Sequence, residues 1–229
     1  MTDFSIKSIK RSKAEKVKTA KNRKISSTRW LQRQLNDPFV ILAKENGYRC
    51  RAAFKILEIN DKFKIFKKGQ KVLDLGSAPG GWSQVVVEKV GMNNIVAVDI
   101  LDMSPIFGVK FVKQDFLADD AKAIIMENSN TSKFDVVMSD MAANTTGDKK
   151  TDHIRTLNLV EEALDFSVTV LKPNGTFISK IFQGGAEKEL LDRLKENFST
   201  VKHFKPKSSR QNSVEMYLVA MGFRDGYKM

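Results

Sequence analysis

Lys180 interrupts an otherwise apolar run, Thr176-Phe177-Ile178-Ser179-Lys180-Ile181-Phe182, where a charged side chain is costly unless paired or used. Three more polar residues stand out by position. Lys55 lies in the helical pattern Arg51-Ala52-Ala53-Phe54-Lys55-Ile56-Leu57-Glu58-Ile59, Asp140 closes the run Phe134-Asp135-Val136-Val137-Met138-Ser139, and Glu215 opens the final apolar run. A lysine accepts a proton only when neutral. A neighbouring lysine favours that form by like-charge repulsion, lowering the reference value of ~10.4, whereas nearby carboxylates oppose it. Two lysines and two carboxylates therefore suit the removal of a proton from a weakly acidic group, with Lys55 tuning Lys180 and Asp140 and Glu215 orienting the partners.

These residues converge only if the elements bring them to one edge. After a helical leader from Ser27 to Phe66, broken near Pro38, apolar runs read as strands at Lys71–Leu75, Asn94–Asp99, Val109–Lys113, Phe134–Ser139, Gly175–Phe182, Thr200–Phe204 and Val214–Met221. Helical patterns follow Gly81 and cover Asp119–Glu127, Arg155–Leu171 and Glu187–Asn197. Such alternation predicts an α/β doubly wound sheet, mostly parallel. Only a polar turn joins the last two strands, so the final strand is predicted antiparallel. Its first residue, Glu215, then lies at the edge where the other strands end.

The run Val72-Leu73-Asp74-Leu75 leads straight into Gly76-Ser77-Ala78-Pro79-Gly80-Gly81-Trp82. Glycines there admit positive φ and let a ligand approach the main chain. Pro79 removes an amide that a diphosphate would use, and no Lys-Ser/Thr pair follows as in a P-loop. A small nucleoside fits better. Asp99 stands at the distance past the turn where an acid takes ribose hydroxyls, and Asp115, after the third strand, is placed to meet an adenine edge. Trp82 is expected either beside that ligand or as a staple for the helix, and Trp30 as a core anchor.

The motifs Asp74 to Gln84 (DLGSAPGGWSQ), Val136 to Asn144 (VVMSDMAAN) and Ser179 to Gly185 (SKIFQGG), in this order over about Thr28 to Gly222, resemble the FtsJ/RlmE family of S-adenosylmethionine-dependent ribose 2′-O-methyltransferases. The resemblance implies a Rossmann-like methyltransferase fold with a seven-stranded, mostly parallel sheet and an antiparallel last strand. It implies S-adenosyl-L-methionine as methyl donor, held by Gly80, Trp82, Asp99, Asp115 and Asp140. It also implies a catalytic tetrad of Lys55, Asp140, Lys180 and Glu215, with Lys180 as proton acceptor. The implied substrate is a uridine 2′-hydroxyl of large-subunit ribosomal RNA, in the assembled subunit. A transfer-RNA 2′-O-methyltransferase and an RNA-binding ribosome-assembly factor are the rival readings. One residue departs from the family: Ala143 stands where proline is usual, which is expected to loosen the substrate loop while leaving Asp140 in place. The same segment lacks the prolines and aromatic ring that grip a flat base amine, which favours a hydroxyl target.

Composition agrees with a polyanionic partner. The 229 residues carry 39 Lys+Arg against 27 Asp+Glu, a net charge of +12, and such a field steers phosphates. Residues 1–28 read as a basic N-terminal arm and 29–229 as the methyltransferase domain. Arg29, Arg33, Lys44, Arg49, Arg51, Lys205, Lys207 and Arg210 are candidates for a basic rim. A single cysteine, Cys50, rules out an internal disulfide framework, and with two histidines no zinc site is expected. No apolar run approaches the ~18 residues of a membrane span. The expectation is a cytoplasmic monomer without metal.

Overall fold

The structure, a computed structural model, describes residues 15–17, 24–143, 146–183, 188–210 and 212–224. Seven strands form one sheet: β1 (Val72–Leu75), β2 (Ile95–Asp99), β3 (Val109–Lys113), β4 (Phe134–Ser139), β5 (Leu171–Phe182), β6 (Phe198–Phe204) and β7 (Glu215–Phe223). Their order is β3-β2-β1-β4-β5-β7-β6. β7 runs antiparallel to both neighbours, and the other pairings are parallel. The order reverses between β1 and β4, which opens the crevice that ligands use in such sheets.

Strand alternation divides the core into two layers. Leu73, Leu75, Val137, Phe177 and Leu218 face one side. Val72, Val136, Met138, Ile178, Tyr217 and Val219 face the other. Against that second face pack α3 (Ala52–Phe63) and α4 (Gly81–Val90), the helices that bring in Phe54, Ile56, Val85 and Val86. β1 is buried along its whole length, as a central strand covered on both faces is, and it carries Asp74 among apolar neighbours.

The leader forms two helices, α1 (Ile25–Leu35) and α2 (Pro38–Glu45). Asp37 caps α2 by accepting from the Phe39 N–H, and Pro38 takes the first helical position, where its missing amide costs nothing. Trp30 is 52% exposed, contrary to its expected role as core anchor. Leu31 and Leu35, one turn apart, line a groove with Val40 and Ile41. Trp30 is rotated off that stripe.

The remaining helices are α5 (Ala121–Glu127), α6 (Lys149–Val170) and α7 (Lys188–Asn197). α6 starts six residues earlier than its apolar pattern predicts, because its first turns are polar and its start is fixed by a cap: Asp148 accepts from the Thr151 N–H. β5 begins at Leu171, four residues before its predicted start. Leu171 pairs with Phe134 ahead of an irregularity in register, and Asn174 there takes a left-handed φ of 65°.

Candidate active site

Alternation along the strands decides which side chains meet α3. Lys180 is two residues past Ile178 and so shares its face. In the antiparallel β5–β7 register Lys180 is opposite Tyr217 and Phe182 opposite Glu215, which puts Glu215 and Tyr217 on that face as well. Asp140, two residues past Met138, follows the end of β4. Lys55, on α3, closes the group from above. Lys55 and Lys180 are only 8% and 7% exposed.

Lys180 Nζ lies 3.1 Å from Asp140 Oδ1 and also donates to the Asp140 main-chain carbonyl. Lys55 Nζ lies 2.8 Å from Glu215 Oε1 and 3.7 Å from Asp140 Oδ2. Asp140 therefore bridges the two lysines. Tyr217, which sequence reasoning missed, completes the cluster. Its hydroxyl donates to Asp140 Oδ1 at 2.7 Å, with Glu215 Oε1 at 3.3 Å as a longer alternative. Ser209 Oγ donates to the same Glu215 oxygen at 2.9 Å.

Burial pushes the Asp140 carboxyl up, but Lys55, Lys180 and the Tyr217 hydrogen bond outweigh burial and hold it below the usual carboxylate range. Burial, then the charges of Asp140 and Glu215, push the Tyr217 hydroxyl well above its ordinary value. Tyr217 thus stays a hydrogen-bond donor, and Asp140 stays ionised.

Beside the cluster, at the carboxyl ends of β1, β2 and β4, a cavity of about 510 Å³ is lined by Gly76, Asp99, Asp115, Asp140, Met141 and Leu101, among others. Its size suits a nucleoside-sized ligand. A smaller recess of about 60 Å³ shares Gly76, Ala78 and Asp140 with it and adds Asp74, Ser77, Trp82 and Cys50. Asp99 and Asp115 both line the larger cavity. Asp99 also braces the turn: Oδ2 accepts from the Ala78 N–H and Oδ1 from the Leu101 N–H, each at 2.8 Å. Asp115 Oδ1 accepts from the Leu117 N–H at 3.0 Å.

Trp82 joins two helices and borders the recess. It is buried, its Nε1 donates to the Ala52 carbonyl at 3.0 Å, and its ring centroid lies 5.6 Å from that of Tyr217, so it ties α4 to α3 while lining the recess. Gly76 has φ +71°, and a Cβ there would sit 2.0 Å from Met141 Cγ. Gly80, at the start of α4 with φ +99°, faces Met103 and Ile106 instead. A second missed residue, Asp74, is buried and accepts from Ser83 Oγ at 2.6 Å. Burial pushes its carboxyl up to about 7 against the pull of that hydrogen bond, with Asp140 and Asp99 adding to the rise.

The basic rim is less free than its sequence suggests. Arg51 and Arg210 both pair with Asp37, and Arg49 is bound to main-chain carbonyls. Arg29, Arg33, Lys44, Lys205 and Lys207 are exposed. Among the described residues no cluster of His, Cys, Asp and Glu could hold a metal, and no helix is long and apolar enough to cross a membrane.

The sheet order, reversed between β1 and β4 above a cavity that the glycine turn lines, is that of a Rossmann-like methyltransferase. The pattern of the FtsJ-like methyltransferases matches residues 48–223, and the chain belongs to that family. It is 57% identical over 215 residues to the ribosomal RNA large subunit methyltransferase E of Paramagnetospirillum magneticum, covering 91% of this chain and 88% of the relative. The protein of the same name in Rickettsia akari is 54% identical over 217 residues, covering 92% and 95%. Among solved structures, a ribosomal RNA methyltransferase of Plasmodium falciparum aligns with a TM-score of 0.68 at 31% identity, covering 77% of this chain and 98% of that one.

Proposed function

We propose that the chain transfers a methyl group from S-adenosyl-L-methionine to the ribose 2′-hydroxyl of a uridine in large-subunit ribosomal RNA, acting on the assembled subunit. The observation that carries the reading is the placement of Asp140. It joins Lys180 and Lys55 while lining the same cavity as Gly76 and Ala78 of the glycine turn. The names of the relatives support the class of RNA.

The residues present fit the donor. Asp99 and Asp115 offer carboxylate oxygens at the cavity wall, suited to ribose hydroxyls and an adenine amine. Ser77 Oγ is buried on the recess wall and has no hydrogen-bond partner among the described residues, and a group of that kind calls for a polar ligand. Gly80 and Trp82 shape the turn and the helix behind it. When bound, S-adenosylmethionine supplies an electrophilic methyl group on its sulfonium.

The chain's own work is to deliver the 2′-hydroxyl stripped of its proton and in line with that methyl. Lys180 Nζ is the acceptor. Asp140 aims it through the side-chain and carbonyl contacts, and Tyr217 fixes the carboxylate that does the aiming. Lys55, held by Glu215, is the second amine beside Asp140 and keeps that carboxylate from pairing with Lys180 alone, and Lys180 takes the proton in its neutral form. Uncovered Arg29, Arg33, Lys44, Lys205 and Lys207 give phosphate contacts that position RNA without reading its bases. Residues 1–28 act as a basic arm ahead of the methyltransferase domain of 29–229, although residues 25–28 already form the first turn of α1. Most of that arm lies outside the described residues. The protein works as a cytoplasmic monomer.

Replacing Lys180 by alanine tests the assignment. Methyl transfer should be lost while RNA binding stays within a few-fold. Loss of both together would show that Lys180 holds the RNA or the fold rather than the proton.

A further inference from the structure

By its charge Arg49 is a candidate for contact with RNA, yet its guanidinium is engaged by three main-chain carbonyls of its own chain. Nη1 donates to the Pro79 carbonyl at 3.1 Å and to the Ser104 carbonyl at 2.6 Å, and Nη2 donates to the Pro105 carbonyl at 2.6 Å. Its own N–H donates to Gln84 Oε1 at 3.0 Å, and Gln84 Nε2 donates to the Gly47 carbonyl at 2.8 Å. One side chain therefore links the glycine turn (Pro79), the β2–β3 loop (Ser104 and Pro105) and the segment that leads into α3.

We propose that Arg49 is a positioning residue for the methyl-donor site, clamping the β2–β3 loop against the glycine turn. That loop follows Asp99, the last residue of β2, and carries Ile100 and Leu101, which line the larger cavity and expose 64% and 63% of their surface. No secondary structure holds residues 101–106 to the sheet, so their distance from the turn depends on local ties. Asp99 supplies one tie, to the Ala78 N–H. Asp102 pairs with Lys113 of β3, and Arg49 adds one bond to the turn and two to the loop.

The chemistry explains the residue type. Carbonyl oxygens on two separate segments need a fork of donors with fixed spacing, which guanidinium provides and an ammonium does not. Among the described residues no carboxylate pairs with Arg49, so no competing partner draws it from the carbonyls. The same clamp accounts for Gly80. A Cβ at that position would lie 2.7 Å from Ile106 Cδ1, 2.8 Å from Met103 Sδ and 3.1 Å from Arg49 Nη1. Glycine lets the loop and the arginine close over the turn, which is a role in shaping the donor site without touching the donor.

The inference rests on the reading of this cavity as the S-adenosylmethionine site, and the test separates the two. Binding of S-adenosylmethionine to the full chain is measured by calorimetry for the natural protein, Arg49→Met and Arg49→Lys, alongside steady-state kinetics on the RNA substrate. Arg49→Met should weaken donor binding about tenfold, as loss of charge-assisted hydrogen bonds does. At saturating donor its kcat should stay within about twofold, with KM for RNA unchanged. Arg49→Lys should fall between the two and carries the comparison should Arg49→Met not fold. An unchanged donor Kd would overturn the clamp. So would a rise in KM for RNA with a shallower salt dependence, which would make Arg49 a phosphate contact. If the natural protein shows no saturable donor binding, the reading beneath the inference fails, and the clamp falls with it.

Discussion

Asp74→Asn should stabilise the protein, and by more at high pH than at low. The carboxyl is buried at the end of β1, and burial raises its pKa to about 7 from an unfolded value of ~3.9. A carboxyl raised in the folded state binds more protons folded than unfolded between those two values. Stability is therefore lost as pH rises from about 4 to about 7 and is flat beyond that. At pH 5 the loss has reached roughly 1.5 kcal/mol, and at pH 8 roughly 4 kcal/mol. Asparagine keeps an oxygen to accept from Ser83 and carries no charge to desolvate. Urea unfolding of both proteins at pH 5 and pH 8 cancels the other titrations, so the advantage of Asp74→Asn should grow by roughly 2–3 kcal/mol across that interval. An advantage that is constant, or that shrinks as pH rises, would refute the reasoning and mean that Asp74 is stabilised as a carboxylate.

Tyr217→Phe removes the donor to Asp140 and leaves the ring against Trp82, so kcat should fall about tenfold at unchanged donor affinity. An effect confined to donor Kd would count against the proposed aiming of Asp140. Gly76→Ala forces a Cβ into Met141 at a left-handed φ and should cost at least about 1 kcal/mol, read as a lowered Tm; an unchanged Tm would show that the turn relaxes freely. Removal of residues 1–23 should weaken RNA binding and flatten its dependence on salt. A slope equal to that of the full chain would leave the arm without phosphate contacts.

That Lys55, Asp140, Lys180 and Glu215 come together was legible because the sheet enforces it. Lys180 in an apolar strand and Asp140 at a strand end were visible as local anomalies, and the antiparallel final strand, inferred from one short turn, put Glu215 at their edge. Tyr217 carried a signal that was passed over: two residues beyond Glu215 in a strand, it must share the same face. Asp74 was seen but not assigned, because its burial and its proximity to Asp140 depend on the parallel pairing of β1 with β4. Trp30 misled because residue type says nothing of how many neighbours a helix has, and α1 packs along one narrow stripe. Arg49 left no pattern at all. Its three acceptors are main-chain carbonyls 30 to 56 residues away, and carbonyls have no signature in sequence.

The proposed transfer to a ribose hydroxyl of large-subunit ribosomal RNA leaves a chemical signature in its product. Labelled S-adenosylmethionine, incubated with the protein and unmodified large subunits, free ribosomal RNA or transfer RNA, followed by alkaline hydrolysis, tests it most directly. A 2′-O-methyl group blocks cleavage of its own linkage, so the account predicts label in alkali-resistant dinucleotides from the subunit pool. Label released as mononucleotides, confined to transfer RNA, or absent from every pool would contradict it.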